Sequence, residues 1–98
     1  MNVFTVIAAS QASVEPIKQA VESAYPNENF RVGDTCWLIA DTEFEVAVVG
    51  KKLGIKDQTS GTLTDILIVW TIVYWGSLNP QAWAWLAQKI QQQTTVQK

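Results

Sequence analysis

A chain of 98 residues, 48% of them hydrophobic, is long enough to bury one core and too short for two, so it reads as a single domain over residues 1–98. A net charge of −2 with only 16% charged residues argues against a general polyanion binder, which carries an excess of Lys and Arg. The lone Cys36 excludes an intramolecular disulfide framework, no cationic leader precedes the apolar stretch 3–9, and no apolar run approaches the ~20 residues of a membrane span; the expectation is a soluble, cytoplasmic protein with no membrane partner.

Residues 2–9 are rich in Val, Ile, Phe and Thr and read as a strand. Ser13 is placed to cap a helix whose first turn holds Glu15 and Pro16. Val14, Ile17, Val21 and Ala24 recur at helical spacing as its apolar face, and Pro26 and Asn27 end it. Two short strands, 30–32 and 35–40, flank Gly33 and Asp34 as a hairpin turn. Thr42 and Glu45 have the spacing of a capping box, and Gly54 is a helix stop. Between them Val46, Val49, Gly50 and Leu53 share a helical face, although the Val-rich composition suits a strand as well. A polar loop over 56–62 leads to the strongest strand signal of the chain, 63–74. Asn79 and Pro80 then open a last helix with Trp83, Leu86, Ala87 and Ile90 on its apolar face, and the polar tail 92–98 is expected to fray.

The order β-α-β-β-α-β-α predicts an α+β fold, a ferredoxin-like βαββαβ sandwich with an additional C-terminal α-helix. Four antiparallel strands would lie in the order 4-1-3-2, with both internal helices on one face. A half-exposed strand alternates apolar with polar residues. Here Ile66, Ile68, Trp70 and Ile72 oppose Leu67, Val69 and Val73, Phe4 and Val6 oppose Val3 and Ile7, and Trp37 and Ile39 oppose Cys36 and Leu38. Three strands that are apolar on both sides require a cover for the second face: the last helix, a second subunit, or both.

In element order and length, residues 1–75 resemble the small ferredoxin-like bacterial proteins of the VapD and GhoS type, which include dimeric ribonucleases. The resemblance rests on topology and implies the fold. Metal-dependent nucleases of that group place an aspartate at the end of the first strand. Here that strand ends Ala8-Ala9-Ser10, which offers no carboxylate to a divalent ion, so the nuclease activity is not expected to carry over.

Histidine is absent, which removes the usual general base, the Ser-His and Cys-His pairs and most zinc sites. Cys36, in mid-strand, reads as a small buried hydrophobe. Asp41, Glu43 and Glu45 gather where a helix N-terminus favours anions. Asp41 and Asp65 fall at opposite ends of the expected sheet. Asp34 and Asp65 share an end but stand three strand spacings of about 4.8 Å apart, too far for one ion. No catalytic, cofactor-binding or metal-binding residue is therefore assigned, and no cofactor is expected.

Lys51, Lys52 and Lys56 form a basic group that is the candidate nucleic-acid contact. No aromatic residues interleave with them, and cations suit a helix C-terminus, so nucleic acid is the less favoured partner. Among the five tryptophans, Trp37 and Trp70 read as core, and Trp83 belongs to the last helix's apolar face. Trp85 points roughly 200° away from Trp83, toward Gln81, Gln88 and Lys89. Trp85, Trp75, Tyr74 and Lys89 are the candidate partner-binding residues, since exposed Trp is a favoured interface anchor. The expectation is a non-enzymatic interaction or regulatory protein, a homodimer with scope for a protein target. The alternative is an RNA-binding or RNA-cleaving protein of the same fold family.

Overall fold

A four-stranded antiparallel sheet carries the architecture: β1 (Asn2–Ala8), β2 (Asn29–Arg31), β3 (Cys36–Asp41) and β4 (Ile66–Trp70) lie in the order β2-β3-β1-β4. Three α-helices accompany it, α1 (Val14–Ala24), α2 (Val46–Leu53) and α3 (Pro80–Gln91), with a 3-10 turn over Gln11–Ser13 leading into α1. The computed structural model describes residues 1–56, 63–72 and 76–91. Val73, Tyr74, Trp75, residues 57–62 of the polar loop and the tail 92–98, all named from the sequence, lie outside the described residues.

Alternation along the strands sorts side chains onto two faces. Phe4, Val6, Trp37 and Ile39 point to one face, where they meet Val14, Ile17, Val21 and Tyr25 from α1 and Val49 and Leu53 from α2. Phe4, Val6, Ile17, Val21, Ile39 and Val49 have no solvent exposure, and each contributes roughly 1.5–3 kcal/mol of burial. On the opposite face Val3 and Leu38 are buried beneath Leu86 of α3, with Phe30, Val32, Trp83, Trp85 and Ile90 packed around them. The last helix thus covers the part of the second face formed by Val3 and Leu38. Its start is as expected, since the Asn79 carboxamide oxygen accepts the Ala82 amide at 2.8 Å.

Several local expectations are corrected. Ser13 does not cap α1: its backbone is already helical, and its hydroxyl donates instead to the carbonyls of Ser10 and Asp65. The cause is the 3-10 turn, which starts the helical path earlier than the apolar periodicity does. Ala24 is exposed, and Tyr25 fills the last core position of that face. Thr42 and Glu45 make no capping box; Glu45 occupies the N-cap position without a side-chain bond, and the Glu43 carboxylate accepts the amides of Phe44 and Glu45. At its other end α2 terminates as expected. Gly54 adopts φ 114°, and the amides of Gly54 and Ile55 return to the carbonyls of Lys51 and Gly50.

The strand expected over 63–74 is shorter. Asp65 takes a left-handed conformation (φ 55°) immediately before β4, a geometry that Asp tolerates better than most residues, and this sets the strand's start. Leu63 is buried in the core outside the strand. Trp70, expected in the core, is 36% exposed, and it stands at the end of an edge strand.

Candidate interaction surface

The tryptophan and lysine chosen from α3 as partner contacts are used within the chain. Ala82, Leu86 and Lys89 are the buried residues of α3, and Ala87 is exposed. The buried arc is therefore rotated by roughly one residue, about 100°, from the stripe of Trp83, Leu86, Ala87 and Ile90. Trp83 and Trp85 flank it, both half-buried. The Trp85 ring lies 6.2 Å from that of Phe30 at 45°, and the Lys89 ammonium stands 5.8 Å from the Trp85 ring while pairing with the Glu28 carboxylate. Polarity concealed this phase. A paired Lys with a long apolar stem can occupy an interior position that its charge marks as solvent.

The second polar cluster joins α1, β3 and α2. Asp41, at the end of β3, accepts the Tyr25 hydroxyl at 2.7 Å, the Lys52 ammonium at 2.8 Å and the Glu43 amide at 3.1 Å. Burial alone would push the Asp41 carboxyl up, but these three donors outweigh it and hold its pKa below the ordinary value. The Tyr25 hydroxyl is pushed well above the usual phenol range, first by burial and then by its bond to Asp41. The cluster is internally satisfied, and it pairs Lys52 with Asp41 while leaving its side chain 47% exposed. Lys51 and Lys56 remain exposed at and beyond the end of α2. Among the described residues, no group of three or more His, Cys, Asp and Glu could hold a metal ion, and no helix is long and apolar enough to cross a membrane.

The open surface lies at β4. This strand pairs with β1 on one side and, among the described residues, forms an edge of the sheet on the other. On the α3 face its Leu67 (55% exposed) and Val69 (44%) face outward. On the opposite face Trp70 stacks edge-on against Phe44 at 6.4 Å, and Phe44 is itself 67% exposed. Ile72 follows, also exposed. The Thr71 amide donates to the Val3 carbonyl, which fixes the alternation: Leu67, Val69 and Thr71 are bonded toward β1, and the amides of Ile68 and Trp70 point away from it.

Between α3 and the β1–β3 part of the sheet is a cavity of about 220 Å³, lined in part by Thr5, Cys36, Leu38, Thr71, Trp83 and Leu86. Burial pushes the Cys36 thiol above its ordinary pKa. The Thr5 and Thr71 hydroxyls are 2.6 Å apart across the β1–β4 pair.

The chain matches no family model and no curated protein. The surface is therefore read from its own residues. The sequence held a signal for it: β4 is the strand that the expected order 4-1-3-2 puts at an edge, and 66–72 contains no charge and no Pro. Phe44 had no such signal, since it stands alone between Glu43 and Glu45 outside any periodic segment.

Proposed function

We propose that this chain is a cytoplasmic, non-enzymatic protein-interaction module that acts as a homodimer, with β4 of one copy adding antiparallel to β4 of a second. The observation that carries this reading is an uncharged apolar strand at an open sheet edge. Edge strands that remain single are usually guarded by Lys, Pro or bulges, and residues 66–72 have neither Lys nor Pro. A second copy suits the edge better than an unrelated strand. Antiparallel pairing about a two-fold axis through Ile68 lets each outward amide meet a carbonyl of the same sequence and sets Leu67 against Val69 of the second copy.

The strand order and the two helices packed on one face support a ferredoxin-like sandwich with α3 as an added helix. The same topology is the ground for the likeness to VapD- and GhoS-type proteins. A binding role over an enzymatic one is supported by the state of the polar groups: Asp41, Tyr25 and Lys52 satisfy one another, and Glu28 is ion-paired with Lys89.

Sedimentation equilibrium tests the reading. The wild-type chain should follow a monomer–dimer equilibrium, and a Leu67→Lys, Val69→Lys double variant should remain monomeric with unchanged far-UV circular dichroism. A wild-type chain that stays monomeric at all concentrations would overturn it.

A further inference from the structure

The cavity beside α3 is a separate feature from the β4 edge, and three properties select what could occupy it. Its walls are mostly apolar: Val32, Leu38, Leu78, Trp83 and Leu86 line it, and among the described residues no charged side chain does. A carboxylate, phosphate or ammonium would enter without a partner, so the occupant is neutral. Its volume of about 220 Å³ exceeds that of an engineered apolar cavity of about 150 Å³ that takes up benzene, which points to a molecule one ring larger.

Its polar lining includes one hydroxyl pair on the sheet, with the Cys36 thiol, the Trp83 indole N–H and the Ser77 hydroxyl as the other polar side-chain groups among the described residues. Thr5 and Thr71 share a single hydrogen between oxygens 2.6 Å apart. The alternative acceptor for Thr71, the Val69 carbonyl, is 3.5 Å away and too distant to hold a hydrogen firmly. The pair therefore retains one donor and free lone pairs for one polar group of a ligand. Gly76, Ser77 and Leu78, all exposed, form the mouth. We propose that this cavity is a binding site for a small, neutral, mostly apolar molecule of bicyclic size carrying one hydrogen-bonding group.

Indole is the probe and indole-3-carboxylate the charged control, used with the full chain. Indole should raise the melting temperature and slow iodoacetamide alkylation of Cys36 severalfold, and the carboxylate should do neither. Cys36→Leu, which fills the cavity from a half-buried position, should abolish the indole-dependent rise. Should that variant not fold, Thr71→Val serves in its place and should weaken the indole response at least threefold. The Leu67→Lys, Val69→Lys variant should keep both indole effects, so that failure of the dimer and failure of the ligand site are distinguishable. No effect of indole on melting and alkylation, or equal effects from the charged control, would overturn the proposal.

Discussion

Trp85→Ala separates an anchor turned inward from one turned outward. The indole packs on Phe30 with ring centroids 6.2 Å apart and lies beneath the Lys89 ammonium at 5.8 Å, beside the buried Val3, Leu38 and Leu86. A fully buried Trp truncated to Ala costs about 3–5 kcal/mol. Trp85 is half-buried, so we expect about half of that, and loss of the aromatic pair adds roughly 0.5–1 kcal/mol. The expected loss is about 2–3 kcal/mol, large against the roughly 5–15 kcal/mol of an ordinary domain and equivalent to a fall of roughly 10–20 °C in melting temperature. Urea denaturation followed by far-UV circular dichroism measures it. Trp85→Phe keeps a ring on Phe30 and should lose less than half as much. A Trp85→Ala variant as stable as wild type but weakened in self-association would refute the packing argument and return Trp85 to the outer surface.

Two further outcomes follow from the polar clusters. Because Asp41 has a lowered pKa in the folded chain, it contributes stability above its unfolded pKa of about 3.9, and that contribution is lost as pH falls through the lower folded value. Asp41→Asn should therefore reduce stability at neutral pH and flatten the acid limb, as urea midpoints measured from pH 7 down to pH 2 would reveal. Lys89→Ala removes the cation from Glu28, whose side chain is about one-third exposed and can partly rehydrate. We expect a loss of about 1–2 kcal/mol, below the 3–5 kcal/mol of a fully buried pair, with Glu28→Gln, Lys89→Met recovering part of it in the same urea assay.

Much of the fold was legible because its signals are local. The apolar spacing Val46, Val49, Gly50 and Leu53 and the stop at Gly54 specify α2, and Asn79-Pro80 specifies the start of α3. Two-sided apolar strands called for a cover on the second face; α3 supplies one over Val3 and Leu38, while Leu67 and Val69 of β4 stay exposed there. What was not legible depends on distant partners. Lys89 looks like a solvent residue until Glu28, far away in sequence, is brought beside it. Ser13 looks like a cap until the Asp65 carbonyl arrives to take its hydroxyl. Trp70 looks like core from its apolar strand, yet at the edge position that the strand order gives β4 it is 36% exposed. For the same reason Trp85 and Lys89 of α3 pack within the chain: periodicity reports which side chains share a face, and tertiary packing decides what meets that face.

Amide hydrogen exchange at Ile68 and Trp70 is the most direct test of the β4 pairing. These two amides point away from β1, whereas those of Leu67 and Val69 are already bonded to it. Between low micromolar and near-millimolar protein, the Ile68 and Trp70 amides should slow by about tenfold or more as pairing forms, with Leu67 and Val69 changing far less. Exchange at Ile68 and Trp70 that is equally fast at both concentrations would contradict the dimer.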